Sequence, residues 1–275
     1  MTKSTHDCKQ ILRDKLHDII NDKSKQVQDA VRPIYLQNSP DQFELLGSSV
    51  LIRIASQSFL ITAAHVMDIA KEKPLFITGT DSLINPEAQF YSTRKPLSGD
   101  RKDDKLDLAV VPLDEDIVNK LEHSCLFLGL DGIDTAERSE PHSYYITIGY
   151  PGTKQPKQKG NQLDYIPMTL GTIEVSVGKY QHYGINPNTN LLLRFNKKKV
   201  HSKLRLETAP NPHGMSGGGV WRVDSPSDCA RLVAIQHEYL DREHLILATK
   251  IGLCFDVIGY HFPNLRQYLP RPEGR

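Results

Sequence analysis

From Gln42 to Lys250 the chain is a train of short runs rich in Val, Ile, Leu, Thr and aromatic residues, separated by turn residues. Many short strands with polar turns point to a β sandwich or barrel. The pattern predicts strands at Gln42–Ala55, Ser58–Thr62, Leu75–Thr78, Gln89–Ser92, Leu106–Pro112, Tyr144–Gly149, Leu170–Val177, Leu191–Phe195, Gly218–Val223, Arg231–Glu238 and Leu245–Lys250. Two helical patches interrupt them, Ala64–Ala70 and Glu115–His123, and Phe255–Tyr268 reads as partly helical, with Pro263 breaking or kinking it. Gly152–Gly160 and Pro187–Asn190 read as exposed loops, and there is no fixed-period repeat. A chain of 275 residues can bury a core without staples, in about two units or one large β unit.

Residues 4–31 have a different texture. Leu12, Leu16, Ile19, Ile20, Val27 and Val31 recur at helical spacing, Ser4 with Asp7 forms a capping pair, and Pro33 ends the segment. The expectation is an amphipathic helix packed on the side of the β region, or one that docks a partner protein or a second copy.

Charge and cysteine usage remove several classes of function. Lys and Arg total 34 against 33 Asp and Glu, a net charge of +1 where a nucleic-acid binder carries a basic excess. Lys197, Lys198, Lys199, Lys203 and Arg205 form a local basic cluster, read most simply as a solvated hairpin. Cys8, Cys125, Cys229 and Cys254 make no CxxC pair, so free buried thiols are expected rather than zinc or redox chemistry. No helical HxxxH pair exists among the 11 histidines. The expectation is therefore no metal and no cofactor. The first 22 residues lack an apolar signal-peptide core, and no apolar run is long enough to span a membrane. This predicts a soluble, cytoplasmic protein with no membrane or nucleic-acid partner.

Three passages carry candidate chemistry. Phe59-Leu-Ile-Thr-Ala-Ala-His65 runs a strand into a histidine, Asp107-Leu-Ala-Val-Val puts a carboxylate at the head of a buried strand, and His213-Gly-Met-Ser216-Gly-Gly-Gly-Val wraps a serine in glycines. A serine hydroxyl needs a base to become a nucleophile, and a histidine base needs a carboxylate to fix its tautomer. Glycines around the serine allow a tight turn whose N–H groups face a developing oxyanion, here those of Gly214 and Ser216. Asp103 and Asp104 lie in the charged turn Arg101–Lys105, whereas Asp107 opens an apolar strand, so Asp107 is the better orienting carboxylate. Gly-x-Ser-x-Gly also fits an α/β-hydrolase elbow, but three glycines after the serine make a poor helix start.

Together these passages resemble the trypsin-like (chymotrypsin-fold) serine peptidases. Thr62-Ala-Ala-His65 is similar to that family's histidine signature, Asp107-Leu-Ala-Val to its aspartate strand, and Gly214-Met-Ser216-Gly-Gly to its nucleophile turn. Ile148-Gly-Tyr-Pro-Gly152 with Leu170-Gly-Thr-Ile resembles the HtrA-like branch, and Leu232–Tyr239 resembles the strand beside the substrate backbone. The resemblance implies a mainly β fold of two six-stranded-type antiparallel barrels. It divides the chain into a helical segment over 1–35, a first barrel over 36–135 carrying His65 and Asp107, a second over 136–254 carrying Ser216, and a C-terminal helix and tail over 255–275. It implies an endopeptidase acting on protein or peptide substrates through an acyl-enzyme on Ser216, with Gly214 and Ser216 N–H groups as the oxyanion hole.

The chain departs from the family at two places. Met215 stands where zymogen-activated members carry Asp, so activation by N-terminal insertion is not implied. Pro210 stands near the base of the primary pocket, where Arg- and Lys-cleaving members carry Asp. Gln236, His237, Glu238 and Tyr239 are expected to line the cleft, Glu238 favouring a basic residue or merely facing solvent, Tyr239 narrowing the entrance. Besides an intracellular peptidase, a protease-fold binding or scaffold module and a regulated effector in bacterial stress or defence remain open readings.

Overall fold

The computed structural model describes residues 5–40, 42–79, 82–86, 89–136, 143–152, 166–195, 200–201, 206–207 and 212–270, with side chains from residue 14 onward except at 200–201 and 206–207. Helix α1 spans Thr5–Val27. Seven strands follow: β1 Val31–Ser39, β2 Gln42–Ile54, β3 Gln57–Thr62, β4 Leu75–Thr78, β5 Leu83–Ile84, β6 Tyr91–Ser92 and β7 Ala109–Leu113. They form one antiparallel sheet in the order β5-β4-β1-β2-β3-β7-β6. The next strands are β8 Tyr144–Gly149, β9 Met168–Thr172, β10 Asn190–Arg194, β11 Val200–His201, β12 Leu206–Glu207, β13 Gly219–Val223, β14 Arg231–Leu240 and β15 Leu245–Lys250. Six of these make a second antiparallel sheet, β10-β15-β14-β13-β8-β9, while β11 and β12 pair as a separate ribbon. The remaining helices are α2 Ala64–Asp68, α3 Glu115–Leu121, α4 Val177–Tyr183 and α5 Gly252–His261. The mainly β, two-sheet architecture with a helix at each end is the one expected.

Side-chain alternation builds three of the apolar clusters. In the first sheet Val50, Ile52, Phe59, Ile61 and Val110 point one way, while Leu51, Leu60, Ala109 and Val111 point the other. Successive strand residues face opposite sides, so β2, β3 and β7 are buried on both faces. The first set meets Ile146, Ile148, Trp221 and Leu232 of the second sheet, together with Cys254, Phe255 and Ile258 of α5. The second set forms a cluster belonging to the first sheet alone, and Tyr145, Val220, Ala234 and Ile246 form a counterpart in the second. A shared cluster therefore cements two sheets that each also enclose their own. Each fully buried Leu, Ile or Val contributes about 1.5–3 kcal/mol. Between the sheets the connecting chain bridges Leu128 to Ile52 and Ile133 to Leu232, and Asp134 pairs with Arg222 at 2.5 Å, both side chains buried.

Several expected elements are corrected. The helix ends at Val27, and Val31 begins a long strand instead of closing the helix. Pro33 is accommodated within β1, opposite Ser48, and does not mark the end of a helix there. The strand expected at Leu170–Val177 stops at Thr172; Val177–Tyr183 is α4, closed by Gly184 in the left-handed region (φ +62). The strand expected from Leu106 begins at Ala109. Helix α5 starts earlier than expected, and Pro263 opens a separate 3-10 turn, Pro263–Tyr268. Of the thiols, Cys254 is buried, Cys125 half-buried and Cys229 exposed, all three free, so burial holds for only one of them. The loop after Gly152, the basic cluster Lys197–Lys199 with Lys203 and Arg205, and Cys8 lie outside the described residues or side chains. No helix among the described residues is long and apolar enough to cross a membrane.

Candidate active site

His65 sits in the first turn of α2, directly after the buried end of β3, with Thr62, Ala63 and Ala64 fully buried behind it. That packing fixes the backbone and leaves the ring 37% exposed, open to solvent on one side. Asp107 faces it. The His65 N–H donates to Asp107 Oδ1 at 2.9 Å, and His65 Nδ1 lies 2.6 Å from Asp107 Oδ2. An ionised carboxylate only accepts hydrogen bonds, so Nδ1 is the donor in this contact. Burial pushes the Asp107 carboxyl upward, but the hydrogen bonds and charge of His65, with a smaller effect of His237, hold it below its ordinary value.

The loop carrying Asp107 is held from both sheets. Asp104 is buried and accepts the Leu106 N–H at 2.9 Å while pairing with Arg101 at 2.5 Å. Arg101 also binds Asp68 of α2 at 2.9 Å, and that carboxyl, though raised by burial, is lowered to about 2 by Lys71, Arg101 and Lys95. From the second sheet, the Asn190 amide donates to the Lys105 carbonyl at 2.5 Å and the Thr249 hydroxyl to the Leu106 carbonyl at 2.8 Å. Asp104 is thus a brace, and Asp107 is the carboxylate on the histidine. In sequence Asn190 reads as the end of an exposed loop, but it is buried and opens β10, and nothing in the sequence marked Thr249.

Ser216 lies in a turn just before β13. Met215 N–H donates to Pro212 O and Gly218 N–H to Met215 O, both at 2.9 Å, and Gly217 N–H donates to Gln236 O at 2.7 Å. Gly214 (φ +91) and Gly217 (φ +89) adopt backbone that other residues avoid, and a Cβ on Gly217 would overlap Ser48 O and Thr62 Oγ1. The Gly214 and Ser216 N–H groups donate to none of the described residues. Ser48 of β2 braces the turn: its N–H donates to Ser216 O, its hydroxyl donates to Gly214 O and accepts the Tyr150 N–H, each at 2.8 Å. Inside a Gly-Ser-Ser run, Ser48 gave no sign of this role.

The structure brings His65 and Asp107 into contact and links the Ser216 turn to them through His237: the Ser216 hydroxyl donates to the His237 carbonyl at 3.0 Å rather than to the His65 ring, and His237 Nδ1 lies 3.8 Å from Asp107 Oδ2. Gln236, His237, Glu238 and Tyr239 do line the depression beside Ser216, with Pro212, Met215 and Ile246. It holds about 20 Å³, room for roughly one water. Tyr239 packs edge-on against Phe195 at 5.2 Å. Glu238 lies 3.6 Å from Lys105, and burial raises its carboxyl despite that neighbour. Pro210 lies outside the described residues. A larger cavity of about 300 Å³ is lined by Lys179, Arg194, Phe195 and His244, none of them in the cleft. Among the described residues no group of three His, Cys, Asp or Glu side chains is placed to hold a metal.

No protein-family model matches this chain, and no curated protein matches it in sequence. Among solved structures, the thermostable serine protease AL20 from an extremophilic microorganism superposes with a TM-score of 0.51 at 11% identity, over 85% of this chain and 96% of that one. The fold is chymotrypsin-like. The MamO protease domain from Magnetospirillum magneticum also matches, with a TM-score of 0.46 at 12% identity over 84% and 96%. In this chymotrypsin-like frame the first sheet and its loops supply His65 and Asp107, and the second supplies Ser216 and the residues lining the depression.

Proposed function

We propose that the protein is a serine endopeptidase acting on protein or peptide substrates through an acyl-enzyme on Ser216. The observation that carries this reading is the 2.6 Å contact from His65 Nδ1 to Asp107, joined through His237 to a serine turn whose Gly214 and Ser216 N–H groups donate to none of the described residues. In the reaction the Ser216 hydroxyl leaves the His237 carbonyl and turns to His65 Nε2, which takes its proton as Oγ attacks the substrate carbonyl. Unliganded sites commonly tighten this bond only with substrate present. Asp107 stabilises the imidazolium, the Gly214 and Ser216 N–H groups hold the oxyanion, and His65 returns the proton to the leaving amine. Water then repeats the sequence to release the acyl group. A fluorophosphonate probe is expected to label the wild type on Ser216 and not Ser216→Ala; labelling that survives the substitution overturns the assignment.

The finer reading is an intracellular peptidase of the HtrA-like branch, regulated as an effector in bacterial stress or defence. Three free thiols support a reducing compartment, and the Ile148-Gly-Tyr-Pro-Gly152 stretch supports the branch. A co-encoded sensor or ATPase at the locus is the outcome expected of an effector. A second reading, a protease-fold binding module of weak or no activity, is favoured by the Ser216 hydroxyl turned away from His65 and by the small depression beside it. Probe labelling separates the two.

A further inference from the structure

His237 touches the site from two directions. Its main-chain carbonyl accepts the Ser216 hydroxyl at 3.0 Å, and its ring Nδ1 lies 3.8 Å from Asp107 Oδ2, the oxygen that also faces His65. The ring is 1% exposed, and its Nε2 has no hydrogen-bond partner among the described residues. A buried imidazole that leaves one nitrogen unpaired is costly, so its placement needs an explanation. The local backbone supplies one. In the β14–β15 ladder Gln236 faces Ala248 and Glu238 faces Leu247, so His237 is the extra residue of a bulge. Bulges re-aim a side chain out of strict alternation, and this one turns the imidazole towards Asp107.

We propose that His237 is a positioning residue of the catalytic site, its neutral ring presenting an Nδ1–H dipole to Asp107 that keeps the carboxylate ionised and aimed at His65. The inference rests on the peptidase reading for its kinetic consequence, but not for its structural one. At 3.8 Å the interaction is electrostatic and not a hydrogen bond. It therefore adds to the field at Asp107 Oδ2 without displacing the His65 ring. The groups facing His237 are Asp107 and Asp104, which favour its charged form, and His65 and Lys105, which oppose it. Burial outweighs them all and lowers the ring to about 4, so it stays neutral at neutral pH. As a neutral donor it helps Asp107; as a cation it would compete with His65 for the same oxygen.

Three substitutions separate this role from packing. Asn places an amide N–H where Nδ1 lies, Gln places it where Nε2 lies, and Phe keeps the ring volume with no donor. The proposal expects fluorophosphonate labelling to fall about tenfold in His237→Phe and in His237→Gln, and to stay within about threefold of wild type in His237→Asn. It also expects the acid limb of the labelling rate against pH to move in His237→Phe and to return in His237→Asn. A packing role predicts the opposite order, Phe above Asn, with no movement of the pH profile, and that order would overturn the proposal. A readout independent of turnover is the downfield proton resonance of the hydrogen bond from His65 Nδ1 to Asp107. It should persist in wild type and His237→Asn and shift or broaden in His237→Phe; an unchanged resonance in His237→Phe also overturns the proposal. If wild type is not labelled at all, the peptidase reading fails, and the resonance still decides the role of His237.

Discussion

At the scale of single residues, the site rests on positions where the backbone or a polar atom has little freedom. Gly217 is the sharpest case. Its left-handed backbone and the space occupied by Ser48 O and Thr62 Oγ1 leave no place for a Cβ. Gly217→Ala is expected to cost about 1–3 kcal/mol or more in a denaturant midpoint and to abolish probe labelling. Ser48→Ala removes a hydroxyl that joins Gly214 O to the Tyr150 N–H, leaving a buried N–H and a partly buried carbonyl unpaired. A loss of about 1–3 kcal/mol should appear in chemical unfolding, with slower labelling because the turn is less defined. His237 gives a pH dependence of defined sign. Its folded value is depressed to about 4 from 6.5, so the unfolded chain takes up its proton first as pH falls. Stability linked to this group is complete above about 6.5 and is lost on the way down to about 4. His237→Phe should flatten that part of the curve of thermal midpoint against pH, and an unchanged slope would contradict a buried neutral ring. His65, Asp107 and Ser216 were legible in the sequence because each sits in a distinctive local string. Ser48, Asn190 and Thr249 were not, because their work is done through contacts with segments distant in sequence.

Elements show the same division between what is local and what is tertiary. Most strands were legible, since Val50 to Ile54 and Leu245 to Lys250 carry the residue types that suit a pleated surface. Strand β1 was hidden because Val27 and Val31 continue a helical spacing and Pro33 looks like a terminator. In the fold the pairing of β1 with both β2 and β4 overrides that local pattern. Helix α4 was hidden in the same way by Ile173, Val175 and Val177, three β-branched residues at alternate positions. Helix α1 docks on the second sheet through Ile20, and Lys23, Ser24 and Val27 are buried. The close approach depends on Gly171 of β9, where a Cβ would collide with Ile20 and the Tyr144 hydroxyl. Gly171→Val is therefore expected to lift α1, read as faster amide exchange over residues 14–27 with strand protection unchanged. Equal protection in wild type and variant would show that α1 is not held there. The clasp on the Asp107 loop is testable at this scale too. Thr249→Val keeps shape but loses the bond to Leu106 O, and labelling should slow about tenfold while the fold persists.

For the whole molecule, the decisive feature is the cluster that both sheets share. Trp221, the only tryptophan in the chain, is fully buried within it beside α5 residues and first-sheet strands. Its fluorescence therefore reports separation of the sheets, while circular dichroism reports the strands themselves. The two thermal transitions are expected to coincide, because neither sheet keeps its inner face covered without the other. A fluorescence change well below the loss of strand signal would mean that the halves come apart first. The sequence implied two similar halves but not the mortar between them, since Ile52, Ile148 and Trp221 look like ordinary strand residues until the sheets are juxtaposed. The grip of Thr249 and Asn190 on the Asp107 loop has a further consequence in time. As the chain leaves the ribosome, His65 and Asp107 emerge first, yet two of the groups that hold the Asp107 loop come much later: Asn190 follows Lys105 by 85 residues, and Thr249 follows Leu106 by 143, after the serine turn. The nascent chain thus carries His65, Asp107 and Ser216 past the point of synthesis before the full clasp on their loop exists, and that clasp is completed only when β15 is laid down.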